Sequence, residues 1–100
     1  MTIYALSSGS GISGVAIIRI SGLEASNVIK SLTSREIPKP RMATLRKINN
    51  INTSELIDEG IIIWFPGPES YTGEDMAEIH IHGGKAGILA VQNEISKIKN

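Results

Sequence analysis

The chain has 100 residues, with ten basic and ten acidic side chains that cancel in charge and no cysteine. This length fits one small domain, and the neutral balance argues against tight electrostatic binding of nucleic acid by this segment alone. The lack of cysteine excludes a disulfide framework, a thiolate nucleophile and a Cys-type zinc site. We find no signal peptide and no membrane-spanning stretch, so we expect a cytoplasmic protein that does not enter the membrane.

Two strands are predicted first, over residues 2–6 and 15–20, joined by the small-residue loop SSGSGISG. Gly9, Gly11 and Gly14 have the spacing of a dinucleotide-binding fingerprint, but that fingerprint requires a helix directly after the glycines. A β-branched strand follows here instead. We therefore interpret the loop as a flexible connection, or as a loop whose backbone N–H groups contact a ligand.

Arg19 is unusual in the second strand, because it shares a predicted face with the apolar residues Val15 and Ile17. A buried guanidinium without a partner is costly. One interpretation is that the stem packs on the sheet while the head reaches solvent or an acidic group of the same chain. The other is that the planar guanidinium is held on a rigid strand to bind a carboxylate or a flat heterocycle.

The next segment predicts a helix over about residues 22–33. Ser21 and Glu24 have the spacing of a capping box, and apolar residues follow at helical spacing: Ala25, Val28, Ile29 and Leu32. The sequence Pro38-Lys39-Pro40-Arg41 cannot continue a helix, so we expect a stiff basic link there.

Two further strands are predicted over residues 42–48 and 55–65. In the first, we expect Leu45 and Ile48 to point inward and the lysine and arginine to face solvent. The second contains a nearly continuous apolar run and is typical of a central strand. A last helix is predicted over residues 85–99, with a buried stripe formed by Ile88, Leu89, Val91, Ile95 and Ile98.

Between these elements lies the most informative stretch, residues 65–84, FPGPESYTGEDMAEIHIHGG. Its Pro-Gly-Pro sequence predicts a rigid corner. Residues 77–82 alternate between apolar or small and polar side chains, which predicts a half-buried strand. Glu78, His80 and His82 should therefore share one face of that strand.

These three side chains leave several kinds of chemistry open. They could hold a metal ion as a metal-dependent enzyme, provided that another element adds a ligand. They could also form a solvated polar face, or Glu78 could accept a pair of hydrogen bonds from an amidine-like ligand. The sequence contains no nucleophile elbow and no phosphate-binding loop, so we do not predict a complete enzyme in this segment.

Four motifs together resemble the N-terminal domain of the tRNA modification GTPase family called MnmE or TrmE. They are GVAIIRISG, KPR, IDEGIIIWFPGPESYTGED and EIHIHGG, and they occur in the order of the family. The resemblance implies a single α+β domain over residues 1–100, with a small mixed β-sheet of about five strands and two helices packed on it. This fold would be similar to half of the folate-binding domain of the glycine cleavage T protein. The helical and G domains of the family would be absent from this chain.

The resemblance also implies a function. By this resemblance we expect the domain to dimerise and to bind a tetrahydrofolate derivative, 5-formyltetrahydrofolate, with Arg19 and Glu78 as the cofactor-binding residues. No catalytic residue and no metal ligand is implied in this domain. GTP, potassium and magnesium would be bound by the missing G domain. The parent protein would act with a GidA-type flavoprotein on the wobble uridine of tRNA, with the folate as one-carbon donor.

Overall fold

The computed structural model describes residues 2–6, 15–70, 72–82 and 84–98. The glycine-containing loop at residues 7–14 lies outside this described part. Five strands and two helices follow along the chain in this order: β1 (Ile3–Leu6), β2 (Val15–Ser21), α1 (Ala25–Thr33), β3 (Thr44–Asn49), β4 (Leu56–Phe65), β5 (Met76–His82) and α2 (Lys85–Ile98). The α+β fold expected from the sequence is confirmed.

The five strands form one sheet in the order β1-β2-β5-β4-β3. All four pairs of neighbouring strands are antiparallel. The parallel element among the described residues is an isolated bridge between Pro40 and Trp64, formed where the link after α1 runs beside the end of β4. The central strand is β5, so the residues that the sequence marked on it lie in the middle of the sheet.

Both helices pack against one face of the sheet. Helix α1 contacts β3 and β5, α2 contacts β4 and β5, and the two helices contact each other. The strand residues on this face are mainly branched aliphatics, which pack well on a pleated surface. The fully buried side chains of this core are Ile18, Ile20, Val28, Ile29, Leu32, Ile48, Ile62, Ile79, Val91 and Ile95.

The other face of the sheet carries no helix among the described elements. Its central row consists of directly opposed residues from four strands, namely Ala5, Arg19, Glu78 and Ile63. The next row consists of Ile17, His80, Ile61 and Leu45. We call this surface the open face. Polar side chains lie in its centre and branched apolar side chains surround them.

The predicted capping box at the start of α1 is wrong. Ser21 belongs to β2, and its hydroxyl lies 2.7 Å from the hydroxyl of Thr72. The residue before the helix is Glu24, which makes no capping hydrogen bond with its side chain. Instead, the backbone N–H of Glu24 donates to the hydroxyl of Thr2 at 2.8 Å. A threonine distant in sequence therefore does what local spacing had assigned to Ser21.

Two leucines predicted to be buried are exposed, Leu45 at 58% and Leu89 at 61%. Leu45 and Ile48 are three residues apart on one strand, and because side chains alternate with a period of two, they lie on opposite faces. Ile48 is in the core, so Leu45 is on the open face, opposite Ile61. In α2, Leu89 lies about 100° around the helix from Ile88, outside the stripe that faces the sheet.

The arginine of β3 was also expected in solvent, but Arg46 is half-buried because it shares the helix-covered face with Ile48. Lys47, on the alternate side, is exposed as expected.

Helix α2 is fixed to the β3–β4 turn by a buried carboxylate. Glu94 is 3% exposed and accepts a hydrogen bond from the N–H of Ile51 at 2.8 Å and another from Lys97 Nζ at 2.8 Å. The bond from Lys97, and then that from Ile51, hold the pKa of Glu94 below its ordinary value against the effect of burial. Sequence analysis did not mark Glu94, because its partner in the turn is 43 residues away.

Among the described helices, none is long and apolar enough to cross a membrane.

Candidate functional site

Arg19 and Glu78 form an ion pair at the centre of the open face. They are directly opposed on β2 and β5, and Arg19 Nε donates to Glu78 Oε2 at 2.9 Å. The side chain of Arg19 is 45% exposed and that of Glu78 is 14% exposed. Each residue therefore has an acidic or basic partner of the same chain, as one interpretation of Arg19 required. The pair lies at the surface rather than in the core, so it is accessible to a ligand.

His80 provides the second partner of Glu78. Its Nε2 lies 2.9 Å from Glu78 Oε1, and both residues are on β5, two positions apart. Burial raises the pKa of the Glu78 carboxyl, but the hydrogen bonds from His80 and Arg19 outweigh it, so the pKa lies below its ordinary value. Glu78 is thus ionised at neutral pH, with each of its oxygens bound to one nitrogen.

His82 is held by a different acid. Its Nδ1 is hydrogen-bonded to Asp58 Oδ1 at 2.8 Å, and its backbone N–H donates to Asp58 Oδ2 at 3.0 Å. Burial raises the pKa of Asp58. Hydrogen bonds from the N–H and the ring of His82 and from the N–H of Glu59 lower it by more, so the pKa of Asp58 lies below its ordinary value. The carboxylate fixes the ring of His82, whose side chain is 79% exposed.

Gly60 explains why Asp58 can reach His82. A Cβ added at Gly60 would lie 2.2 Å from the backbone oxygen of His80, a distance that a side chain cannot occupy. The regular pairing of β4 with β5 starts at Ile61, directly after this close approach. A glycine is needed here so that the first half of β4 can bring Asp58 beside the end of β5.

The structure therefore divides the residues that the sequence had grouped. Arg19, Glu78 and His80 are connected by hydrogen bonds, whereas His82 is bound to Asp58. Within the described ranges, no three acidic or histidine side chains are grouped so that they could hold a metal ion. The geometry does not favour the metal-dependent alternative. The carboxylate of Glu78, which would have to bind a metal ion together with His80, is already hydrogen-bonded to both Arg19 and His80.

A cavity of about 470 Å³ opens on the same face, and its lining includes His80 and His82 but not Arg19 or Glu78. Its lining combines apolar side chains from β2, β3 and β4 with the two histidines of β5, namely Val15, Leu45, Ile61, His80 and His82, together with Glu59. An apolar cavity with a few polar groups at its edge is the usual form of a site for a small organic ligand.

The Pro-Gly-Pro corner positions the start of β5. The N–H of Gly67 donates to Asp75 Oδ1 at 2.9 Å, and the N–H of Gly22 donates to the backbone oxygen of Asp75 at the same distance. Asp75 therefore joins the corner after β4 to the turn after β2, directly before Met76 begins β5. This places the predicted rigid corner where it can align the strand that carries Glu78.

Sequence analysis missed Asp58. Asp58 and Glu59 precede Gly60 within an otherwise apolar strand. Two acidic residues followed by a glycine at that position are the signal of an irregular strand with a polar function, but they do not identify His82 as the partner.

The chain matches a known protein family over almost its whole length. The profile of the family described as "GTP-binding protein TrmE N-terminus" matches residues 2–99. The chain is 72% identical to a tRNA modification GTPase MnmE of Pelagibacter ubique over 100 residues, which is all of this chain and 23% of that protein. It is 50% identical to the 5-taurinomethyluridine-[tRNA] synthase subunit GTPB3, mitochondrial, of Danio rerio, over 97% of this chain and 19% of that protein.

The human protein of the same name as the zebrafish one is 42% identical over 97% of this chain, which covers 20% of its length. The chain thus spans about a fifth to a quarter of the curated relatives it matches. The match extends over almost all of the chain, including β2, β5 and the corner that joins β4 to β5. This chain belongs to the family of TrmE N-terminal domains.

Proposed function

We propose that this chain is the folate-binding and dimerising module of a longer tRNA-modifying GTPase. The observation that supports this most directly is the Arg19–Glu78 pair, which lies on the open face and is hydrogen-bonded through Glu78 to His80, a residue that lines a largely apolar cavity. In this proposal the ligand is a tetrahydrofolate derivative, 5-formyltetrahydrofolate, which supplies a one-carbon unit. The residues of this chain bind and orient it and do not transfer protons.

Glu78 is suited to the pterin ring by its remaining acceptor sites. An ionised carboxylate has about four lone-pair sites, and Arg19 and His80 use two of them. A pterin presents a ring N–H and an adjacent amino group, which donate in parallel to one carboxylate. The depressed pKa of Glu78 keeps it in the accepting form at neutral pH. Arg19 then contacts a ring oxygen or the carboxylate tail of the folate.

Dimerisation is supported by the apolar surround of the open face. Ile3, Val15 and Leu45 are each more than half exposed, although they are large aliphatic residues on the strands. A chain of 100 residues buries a limited core, so a second copy that covers such residues adds stability. In this arrangement each folate site lies near the surface shared by the two copies.

The remaining chemistry belongs to the longer protein in this proposal. Its G domain binds GTP with potassium and magnesium, and it works with a GidA-type flavoprotein to modify the wobble uridine of tRNA. The relative from Pelagibacter ubique is named a tRNA modification GTPase, and the zebrafish relative is named a subunit of a 5-taurinomethyluridine-[tRNA] synthase. The neutral charge of this chain fits a role in holding the cofactor, with the tRNA bound elsewhere.

Calorimetry and sedimentation test the two parts of the proposal separately. Titration of the chain with 5-formyltetrahydrofolate should give saturable heat with one site per chain. Sedimentation over a concentration series should show a dimer, and the apparent melting temperature should rise with folate concentration. A strictly monomeric chain without folate heat would contradict the proposal. Methotrexate, which carries a differently substituted pteridine ring, serves as the competing ligand.

A further inference from the structure

A second cavity, of about 510 Å³, lies on the opposite side of the sheet from the folate candidate. It is formed where α1 ends and where the following link passes β3. Its lining is mostly charged, consisting of Lys30, Ser34, Arg35, Glu36, Ile37 and Arg46. We call it the α1 cavity.

The α1 cavity concentrates positive charge in a chain that is neutral as a whole. Three of its lining residues are cationic and one, Glu36, is anionic. Lys30 and Arg35 are exposed, so their charged groups remain hydrated and able to exchange water for an anion. Fields from several cations in one cavity add, and they attract anions more strongly than isolated surface lysines do.

Arg46 supplies a second, independent observation. Its Nε is closed to solvent and has no hydrogen-bond partner among the described residues. Its Nη1 donates to the backbone oxygen of the preceding residue, Leu45, at 3.0 Å. A buried donor without a partner is destabilising, so a rearrangement that gives Nε an acceptor is favourable. Because Nε is closed to solvent, the guanidinium must turn toward the cavity before Nε can donate to a ligand.

The end of α1 does not account for these cations. Ser34 adopts a left-handed conformation at the helix end, and its N–H already donates to the backbone oxygen of Lys30 at 2.8 Å. Thr33 Oγ1 donates to the backbone oxygen of Ile29. A cation near a helix C-terminus is favourable, which explains Lys30 and Arg35 in part. It does not explain a guanidinium on β3 that leaves Nε unpaired.

We propose that the α1 cavity binds a phosphate-type oxyanion. The guanidinium of Arg46 turns toward the cavity and exchanges its bond to Leu45 for a pair of N–H donors on the oxyanion, which satisfies Nε. Lys30 and Arg35 supply charge, and the hydroxyl of Ser34 lies at the same lining. This site is separate from Arg19 and Glu78 and does not depend on folate binding.

Two sources present the same phosphate chemistry, namely a free phosphate or nucleotide and the backbone of an RNA. The structure assigns the chemical group, and the experiment distinguishes the sources. Binding of an RNA backbone at this site would fall steeply with salt, because several counterions are released, whereas binding of inorganic phosphate would fall less.

The test is a titration of the chain with inorganic phosphate at constant ionic strength, followed by amide and arginine side-chain NMR. We expect saturable shifts of Ser34, Arg35 and the Nε–H of Arg46, with a dissociation constant of about 1–10 mM. Arg46→Lys keeps the charge but removes Nε, and it should weaken binding about tenfold. Glu36→Gln removes the opposing charge and should strengthen binding about two- to fivefold.

Lys47→Gln is the control for charge, because it removes a full charge from the neighbouring position of β3, on the exposed, opposite side of the strand, whereas Arg46→Lys keeps the charge. It should change affinity less than twofold. The site is overturned if phosphate causes no saturable shift below about 50 mM, or if Lys47→Gln weakens binding as much as Arg46→Lys.

A short RNA hairpin is then titrated at two salt concentrations. Displacement of phosphate by the hairpin assigns the site to RNA, and no displacement assigns it to a free phosphate group.

Discussion

The two faces of the sheet are built from the same five strands but carry different side chains. The helix-covered face is an aliphatic core in which Ile18, Ile62 and Ile79 are fully buried. The open face places Arg19, Glu78 and His80 among half-exposed aliphatic residues. Strand alternation alone permits this division, since neighbouring residues contribute to opposite faces. One face can therefore provide stability by packing, while the side chains of the other face can be shaped for a ligand and a partner.

The largest contrast is expected between neighbouring isoleucines of β4. Ile62→Ala removes a fully buried side chain and should lower the free energy of unfolding by about 2–5 kcal/mol. Ile63→Ala, on the open face, should lower it by about 1 kcal/mol, because the side chain is only partly buried. Urea unfolding of the two variants measures both values. Equal losses would mean that the open face is covered in solution, which would itself support a dimer.

The next effect concerns the close approach at Gly60. Gly60→Ala places a methyl group against the backbone oxygen of His80, so β4 and β5 must separate, at a cost of about 1–3 kcal/mol or more. Gly87→Ala is the control, since nothing lies within 4 Å of its added Cβ and alanine favours the helix. Thermal unfolding should show a lower melting temperature for the first variant and a higher one for the second. A Gly60→Ala variant as stable as the wild type would contradict the assigned geometry.

Substitutions of Arg19 and Glu78 should affect folate binding more than stability, unlike the substitutions of Ile62 and Gly60. Glu78→Ala and Arg19→Ala should each weaken folate binding by about 1.5–3 kcal/mol, or roughly ten- to a hundredfold, as calorimetry would measure. Arg19 is about half exposed, so Arg19→Ala should lose less than about 1 kcal/mol of stability. Glu78 is 14% exposed and has two hydrogen-bond partners, so Glu78→Ala should lose about 1–2 kcal/mol. Unchanged affinity with a sharp loss of stability would make the pair structural. Lys30→Ala, which removes an exposed cation from α1 on the helix-covered side of the sheet, is the control for charge alone.

The smallest effect should depend on pH and come from Glu94. Its pKa is lower in the folded state than in the unfolded chain, so its contribution is complete above the unfolded value of about 4.5 and is lost as pH falls through the folded pKa. Glu94→Gln should cost about 1–2 kcal/mol at pH 7 and progressively less in acid. Urea titrations at several pH values check this. A difference that stays constant between pH 7 and pH 3 would show that the charge of Glu94 is irrelevant.

The sequence predicted what depends on local periodicity. The alternation of β5 placed Glu78, His80 and His82 on one side of the strand. The apolar run of β4 predicted the central strand, but the centre is β5 and β4 lies beside it. Apolar periodicity predicted the wrong burial for two leucines. Leu45 and Ile48 are both apolar but lie on opposite faces of β3, and Leu89 lies on a side of α2 that does not contact the sheet.

Partners across the sheet were beyond the reach of sequence spacing. Asp58 is 24 residues from His82, and their contact depends on the irregular pairing around Gly60. The role of Thr2 at the start of α1 depends in the same way on where β1 runs. Arg19 and Glu78 were selected because a charge stood in an apolar strand, and the resemblance to the family gave them a function. Their direct contact required the register between β2 and β5.

The strand order has a consequence for synthesis on the ribosome. β5 is the last strand of the sheet to be made, yet it lies between β2 and β4. Until residue 82 leaves the exit tunnel, the β1–β2 and β3–β4 pairs each present an unpaired strand edge. Exposed edges can pair with other nascent chains, so aggregation is a hazard during this interval. Slow translation just before Met76 would lengthen that interval, whereas rapid insertion of β5 closes both edges at once.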